Sequence, residues 1–349
     1  MDPWNVYFST FNSGLEDPIA QALVESLQDV EVREVHEGLI LYASRRAARR
    51  IEELRFFRNS FLLLHRSDAA PGAAVESVLR ALISSPEAFQ ALERYGAALR
   101  GSFRVMVQEG SRLVPVSGDA LAALERTIHQ ATGLPARRRG ADHELWVHLR
   151  TGGLALFSVR LTRHPDFEKV LERGELRPEL VDVLCRLSEP RGGELFLDPF
   201  AGSGAIPIAR AANFPRGLVL ANDADEDKVL QLRARVASLG LKKHVVVRKV
   251  DALAMTRYAD GCIDKIVTDP PWGLYRELGM EPRRFYGQML EECRRVLKPG
   301  GLLVLLIARG ESIEELVELT RGLELRAELP ILMSGKKATI YKAINSEQS

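Results

Sequence analysis

The chain has only three cysteines in 349 residues, and they lie far apart in the sequence. Cys185, Cys262 and Cys293 form no CxxC pair, which argues against a zinc site and against a disulfide framework. Long apolar runs are also missing, since Leu302–Ala308 is far shorter than the roughly 20 residues that a membrane span needs. Residues 1–4 lack the basic start of a signal peptide. We therefore expect a cytoplasmic protein with no metal ion and no membrane contact. We also expect a monomer, although none of these features bears on the oligomeric state.

Net charge is almost absent as well, because 48 lysines and arginines face 47 acids, for a balance of +1. The total gives no support to nucleic-acid binding, but the distribution of charge is more informative. No lysine precedes Lys169. Arginine matches phosphate and stacks on bases better than lysine does, although an arginine-rich genome would produce the same bias. Two clusters stand out: Arg45, Arg46, Arg49, Arg50, Arg55 and Arg58, and then Arg137, Arg138 and Arg139.

The length predicts two or three domains. In residues 1–65, strands are predicted at 5–10, 31–35 and 39–42 and helices at 18–27 and 47–54, which indicates a small α+β domain. A linker-like stretch around Pro71 and Gly72 follows. In residues 66–165, helices are predicted at 75–82 and 121–132 and strands at 102–107, 144–149 and 154–161, which indicates a second α+β domain. Neither domain carries an obvious catalytic constellation, so we interpret both as binding or positioning modules.

Residues 166–349 have a regular alternation that predicts a third domain of the α/β class. Strands are predicted at 194–197, 217–221, 245–250, 263–268 and 302–308, and helices at 205–212, 226–239 and 285–297. Strands separated by helices of about a dozen residues indicate a parallel, doubly wound sheet. In such sheets ligands bind beyond the carboxyl ends of the strands. The polar residues of interest fall at those ends.

The first predicted strand runs into a glycine-rich turn, Asp198–Gly204, with the sequence D-P-F-A-G-S-G. Glycines there let the backbone approach a ligand, and the following helix offers free amide donors. Asp198 is placed to accept hydrogen bonds from a cationic amine. The third glycine of the nicotinamide-binding pattern G-x-G-x-x-G is replaced by Pro207, which disfavours a dehydrogenase.

Two more acids end the next predicted strands. Asp223 could accept both hydroxyls of a ribose, and Asp251, followed by Ala252, could accept from an adenine amino group. Each acid taken alone is equally consistent with a helix cap. Three acids at successive strand ends favour one shared ligand crevice.

The most informative stretch is Asp269-Pro270-Pro271-Trp272, after the fourth predicted strand. An exocyclic amine on a base ring is a poor nucleophile because its lone pair is delocalised. The Asp269 carboxylate and the Pro270 carbonyl can accept its two hydrogens, and proline fixes the direction of that carbonyl in advance. Trp272 offers a face on which a flipped base can stack.

These motifs resemble the cofactor and catalytic motifs of S-adenosylmethionine-dependent amino-methyltransferases with a Rossmann-like fold. Residues 174–178 (G-E-L-R-P) and 335–341 are similar to flanking segments of the RNA guanine-N2 methyltransferases. Residues 102–105, 131–134, 144–147 and 155–159 resemble pieces of the THUMP domain that follows a ferredoxin-like domain in those enzymes. One departure is Trp272, where phenylalanine or tyrosine is commoner.

The resemblance implies S-adenosylmethionine as cofactor and a guanosine N2 in a structured RNA, tRNA first among them, as target. The implied cofactor-binding residues are Asp198, Pro199, Phe200, Ala201, Gly202, Gly204, Asp223, Asp251 and Ala252. The implied catalytic residues are Asp269, Pro270, Pro271 and Trp272, and candidate RNA contacts are Arg137, Arg138, Arg139, Arg276, Arg283 and Arg284. The alternatives are guanine N2 in ribosomal RNA, adenine N6 in DNA or RNA, cytosine N4 in DNA, and, more remotely, an RNA-binding protein without catalysis.

Overall fold

The computed structural model describes residues 4–96, 99–116, 118–162, 175–215, 217–272, 280–308, 313–333 and 335–347. The chain divides into two compact units. One consists of Met1–Thr10 and Leu23–Arg163, and the other of Phe11–Ala22 and His164–Ser349. Every helix within the described ranges falls short of the length and apolar content that a membrane crossing requires.

The first half of the chain is a mixture of strands and helices, as predicted. Its elements are β1 (Asn5–Thr10), α1 (Glu16–Leu27), β2 (Val30–His36), β3 (Leu39–Ser44), α2 (Ala48–Glu52), β4 (Asn59–Asp68), α3 (Val75–Ile83), α4 (Pro86–Gly96), β5 (Phe103–Glu109), β6 (Arg112–Leu113), α5 (Asp119–Thr132), β7 (His143–Leu149) and β8 (Leu154–Arg160). Sequence patterns predict all of these except β4, α4 and β6.

The strands of the first unit form one eight-stranded sheet in the order β2-β3-β1-β4-β8-β7-β5-β6. β4 pairs antiparallel with both β1 and β8, so it joins the strands on its two sides into a continuous sheet. Phe8 and Phe61 stack across β1 and β4 with ring centroids 4.7 Å apart. β4 crosses the domain boundary predicted between residues 65 and 66. The division of this half into a ferredoxin-like and a THUMP-like domain stays a prediction.

The second half alternates strands and helices. Its elements are α6 (Pro178–Leu187), β9 (Leu195–Asp198), α7 (Ala205–Asn213), β10 (Leu218–Asp223), α8 (Glu226–Ser238), β11 (Val245–Lys249), β12 (Ile263–Thr268), α9 (Pro282–Val296), β13 (Leu297–Ala308), α10 (Ile313–Leu319), β14 (Leu323–Met333) and β15 (Lys336–Asn345). α10 and β14 are not predicted from the sequence, and β13 begins at Leu297 rather than at Leu302.

These strands form a seven-stranded sheet in the order β11-β10-β9-β12-β13-β15-β14. The strands from β11 to β13 run parallel, which confirms the predicted parallel sheet. β15 lies antiparallel to both β13 and β14 and closes the edge. α9 covers the strands through Tyr286, Met289 and Leu290, which share a buried apolar cluster with Ile266 and Leu303. This packing holds the carboxyl ends of the parallel strands in fixed positions.

The edge strand β14 is easily missed in the sequence because exposed and half-buried residues alternate along most of its length. A hydrogen bond from Leu332 N to Ser13 O, 3.3 Å long, covers part of its outer edge. The Asn12 side-chain amide also donates to Leu332 O at 3.3 Å. Pairing of this kind protects an edge strand from association with other chains.

Candidate active site

Four strand-end acids stand in a row along one edge of the parallel sheet. Because the strands lie in the order β11-β10-β9-β12, the acids follow in the order Asp251, Asp223, Asp198 and Asp269. The sequence predicts that these acids share a crevice, and the structure brings their strand ends side by side. They differ in burial, however, since Asp198 is buried and Asp251 is exposed.

The glycine turn between β9 and α7 is tied to the end of β10. Ala201 N donates to Asn222 O at 2.7 Å, and Gly202 N donates to Asp223 Oδ2 at 3.0 Å. Gly204, which precedes α7, has φ of +88°, and a Cβ there would lie 2.2 Å from Leu232 Cδ1. Any other residue at this position would clash and strain the backbone. The turn therefore presents the first amides of α7 at a fixed place beside the strand ends.

Pro199 and Phe200 complete the turn, and both help to fix its position rather than point freely into solvent. Pro199 is buried, and Phe200 is half-buried with its ring 6.0 Å from the ring of Phe285 on α9. Their predicted contact with a cofactor is untested and stays a prediction.

Asp198 is the most deeply enclosed of the four acids, at 1% exposure. Its Oδ1 accepts hydrogen bonds from the Thr268 hydroxyl at 2.8 Å and from Phe200 N at 3.1 Å. Burial raises the pKa of Asp198 to about 7, and the charge of Asp223 raises it further, while the two hydrogen bonds lower it. A cation placed beside this carboxylate would favour its ionised form.

Asp269 follows β12 and is the second acid with a strongly perturbed pKa. The residue as a whole is partly exposed, but its carboxyl group is enclosed by protein, and this burial raises its pKa to about 8. The Trp272 indole N–H donates to Asp269 Oδ1 at 2.8 Å and lowers that pKa, whereas the charge of Asp198 raises it. Two neighbouring acids with raised pKa values are typical of functional sites.

Two prolines, Pro270 and Pro271, stiffen the backbone between Asp269 and Trp272. Pro270 is buried, and the carbonyl of Pro271 accepts a 2.9 Å hydrogen bond from the hydroxyl of Tyr286, which is itself fully buried on α9. The backbone from Asp269 to Trp272 is therefore held both by ring geometry and by a contact from the core. The predicted stacking of a base on Trp272 stays a prediction, and the ring also has the role of a donor.

Asp223 and Asp251 are engaged mainly with the backbone. Besides Gly202, Asp223 accepts from Asp225 N at 3.0 Å, and Lys228 Nζ lies 3.7 Å from its Oδ2. Asp251 Oδ1 accepts from Leu253 N at 2.9 Å, while the neighbouring Ala252 is buried. Both acids thus cap turns, and their predicted contacts with ribose and adenine stay predictions.

Sequence reasoning missed three polar side chains that support the site. The hydroxyl of Thr268 holds Asp198, as described, and Asn222 Oδ1 accepts a 2.9 Å hydrogen bond from the hydroxyl of Tyr258. Asn222 is fully buried, and its Nδ2 has no hydrogen-bond partner among the described residues. The available signal is position, since Thr268 and Asn222 are uncharged polar residues at the ends of otherwise mostly apolar strands.

The candidate RNA contacts have different surroundings. Arg137, Arg138 and Arg139 are exposed between α5 and β7 of the first unit. Arg283 makes a bidentate ion pair with Glu315, at 2.8 and 3.1 Å, and Arg284 is exposed. Arg276 lies outside the described residues. Their predicted role in RNA binding is untested.

A metal centre was not expected, and the described ranges contain no group of three His, Cys, Asp or Glu side chains in a metal-binding arrangement. Burial raises the pKa values of the Cys185 and Cys293 thiols, so these side chains are poor nucleophiles.

Comparison with known proteins gives the family. The model of the UPF0020 family, an RMKL-like methyltransferase domain, matches residues 165–329. A tRNA (guanine(6)-N2)-methyltransferase of Thermus thermophilus is 32% identical over 243 residues, which covers 66% of this chain and 71% of the relative. The chain belongs to this family of methyltransferases. Its Rossmann-like sheet is thus that of a methyltransferase.

Two further relatives extend the comparison. The U6 snRNA (guanine-N(2))-methyltransferase THUMPD2 of Bos taurus is 26% identical over 180 residues, which is 50% of this methyltransferase but only 34% of the relative. The crystal structure of TrmN from Thermus thermophilus superposes with a TM-score of 0.74 at 25% identity, and it covers 98% of this chain and 99% of that chain. The similarity to TrmN therefore extends through both halves of the molecule.

Proposed function

We propose that this chain transfers a methyl group from S-adenosylmethionine to the exocyclic N2 of a guanosine in tRNA. The observation that carries the proposal is the pair of enclosed carboxyl groups on adjacent strands. Asp198 ends β9 beside the glycine turn, and Asp269 follows β12 at the start of the rigid Pro-Pro segment. One carboxylate suits a bound cation, and the other suits an amine that must be activated.

The glycine turn and its surroundings fit the methyl donor. The positive φ of Gly204 lets the backbone turn sharply from β9 into α7 and places the first amides of α7 beside the strand ends, where a ligand can use them. Asp198 has the chemistry to hold the ammonium group of the methionyl part, and Asp223 and Asp251 suit the ribose and the adenine. When bound, S-adenosylmethionine supplies a methyl group that is electrophilic because its sulfur is positively charged.

The segment that begins at Asp269 fits the methyl acceptor, because an aromatic amine has to be activated before it can attack. Asp269 and the Pro270 carbonyl can accept its two N–H groups, which favours electron density on the nitrogen and aligns it with the methyl group. After transfer the product nitrogen must lose a proton. The pKa of Asp269, near 8, suits a carboxylate that accepts this proton at neutral pH. A strong base is not required.

The choice of RNA rests on the relatives. The Thermus thermophilus relative that is 32% identical is named a tRNA guanine-N2 enzyme, and the U6 snRNA relative also modifies a guanine N2. The exposed arginines at positions 137–139 fit an RNA backbone, because guanidinium groups bind phosphate in a bidentate manner. We expect guanosine 6 of tRNA, the position modified by the Thermus relative.

The proposal is tested by incubating the purified chain with unmodified tRNA and methyl-labelled cofactor, followed by nucleoside analysis and mapping. We expect N2-methylguanosine at a single tRNA position. Label on adenine or cytosine would contradict the guanine assignment. Label that appears only with ribosomal RNA, U6 RNA or DNA would contradict the choice of tRNA, and calorimetry without cofactor binding would contradict catalysis itself.

A further inference from the structure

The indole group of Trp272 is oriented by its edge toward the carboxylate that precedes it by three residues. Its Nε1 lies 2.8 Å from Asp269 Oδ1. An indole N–H can only donate, and a hydrogen bond to a carboxylate is among the stronger kinds in proteins. Stacking on a base would need only the face of the ring. The N–H contact is a separate property of this side chain.

We propose that Trp272 is a positioning residue that fixes the Asp269 carboxylate through its indole N–H and leaves the second oxygen for the target amine. The inference deepens the proposed function and rests on it. In the described part of the chain, Asp269 Oδ2 has no hydrogen-bond partner in the protein. A carboxylate with one oxygen fixed by a donor presents its other oxygen to an incoming amine in a defined orientation.

The surroundings of Trp272 make this donor rigid. The prolines at 270 and 271 restrict the backbone between donor and acceptor, and Tyr286 holds the Pro271 carbonyl at 2.9 Å. Tyr286 is fully buried in the packing of α9. The core of the sheet therefore determines where the indole N–H points, and the indole determines the rotamer of Asp269. A preformed acceptor needs no reorganisation when the base arrives.

The bond also affects ionisation of the acceptor. Burial and the charge of Asp198 raise the pKa of Asp269, whereas the hydrogen bond from Trp272 lowers it. Loss of the N–H would raise this pKa further, so a larger fraction of Asp269 would be protonated at neutral pH. A phenylalanine keeps the aromatic face for stacking but has no N–H. Orientation and stacking can thus be separated by one substitution.

The test is the pH dependence of kcat for wild type, Trp272→Phe and Trp146→Phe. Trp146 is a matched control, since its indole N–H donates to the Glu144 carboxylate at 3.0 Å in the other unit. For Trp272→Phe we expect a kcat lower by about tenfold at neutral pH, with the midpoint moved to higher pH. KM for RNA and the cofactor Kd should stay within about twofold of wild type. Trp146→Phe should leave the profile unchanged.

A double-mutant cycle with Asp269→Asn makes the test independent of folding defects. If Trp272 acts through Asp269, adding Trp272→Phe to Asp269→Asn lowers kcat no further. Equal effects of Trp272→Phe in both backgrounds, or an unchanged pH midpoint in the single variant, would overturn the inference. A wild-type chain that binds cofactor but makes no N2-methylguanosine would instead contradict the proposed function, so the two failures are distinguishable.

Discussion

The strands β9 and β12 and the neighbouring strands β10 and β11 end in the same residue type but use it in different ways. At the ends of β9 and β12, Asp198 and Asp269 are enclosed and have pKa values raised by burial to about 7 and about 8. At the ends of β10 and β11, Asp223 and Asp251 accept hydrogen bonds from backbone amides of nearby turns. Burial makes the first two acids sensitive to a bound cation or amine, whereas the second two hold the turns around them in place.

The two enclosed acids, Asp198 and Asp269, also make the stability of the folded chain fall as the pH rises. The folded-state pKa of each acid lies above its unfolded value of 3.8, so the folded chain binds these protons more tightly. Their contribution to stability is fully present below the unfolded pKa and is lost as the pH rises through about 7 and about 8. Ligands that favour the carboxylates offset this loss, which is typical of functional sites.

The largest expected effect is that of Asp269→Asn. An amide can still accept one N–H but cannot take a proton or carry charge, so we expect kcat to fall by about 100-fold or more. Cofactor affinity should be retained, and the melting temperature at alkaline pH should rise because a buried charge is removed. Single-turnover transfer, calorimetry and thermal unfolding measure the three quantities. Transfer at the wild-type rate would remove Asp269 from catalysis.

Thr268→Val should have the next largest effect, on cofactor binding. The valine removes the hydroxyl that donates to Asp198, which would raise the pKa of that acid further above its usual range. We expect a cofactor Kd higher by about tenfold at neutral pH, with partial recovery as the pH rises. Calorimetry across pH measures it, with Thr268→Ser as the control that retains the donor. A pH-independent loss shared by both variants would mean that Thr268 has a packing role only.

Asp223→Ala should weaken the cofactor site through its turn. Without this acceptor the amide of Gly202 loses its hydrogen-bond partner, which lies at 3.0 Å. We expect a cofactor Kd higher by roughly fivefold, with kcat at saturation unchanged. Asp225→Ala is a matched control, because Asp225 caps α8 by accepting from Asp227 N and Lys228 N. That control should lose about 1 kcal/mol of unfolding free energy and keep its affinity. Equal losses of affinity in both variants would contradict a specific role for Asp223.

The smallest effect is expected for Asp251→Ala, since this acid is exposed and water can replace it. We expect a cofactor Kd higher by no more than about threefold. The sharper readout is a cofactor analogue with hypoxanthine in place of adenine, which lacks the exocyclic amine. Wild type should prefer the adenine form and the variant should not. A preference that survives in Asp251→Ala would place the adenine contact elsewhere.

The sequence predicts where these acids lie, but not which of them bind a ligand and which hold a turn. Apolar runs and the spacing of acids were sufficient to predict the parallel sheet and the row from Asp198 to Asp269, because strand periodicity and strand ends are local properties. The family resemblance to RNA guanine-N2 methyltransferases is confirmed by the relatives. Residues such as Asp223 could not be assigned to ligand or turn, since both uses need the same carboxylate.

The features that escaped prediction are those that depend on contacts distant in the chain. Thr268 holds Asp198 across 70 positions, and Tyr258 reaches Asn222 across 36. β4 has an apolar run that any buried segment could show, and only pairing with β1 and β8 defines it as a strand. The edge strand β14 alternates because it is half exposed. Such contacts become visible only once the sheet is assembled.

The ionisation of the enclosed pair is the central claim, and the pH dependence of kcat/KM for the cofactor tests it most directly. This ratio reports acids of the free enzyme. We predict that it rises with pH through about 7 and about 8 and is level above that range, because both acids work as carboxylates. A ratio that is already level in mildly acidic solution would show that neither acid is perturbed, and would contradict this account of the site.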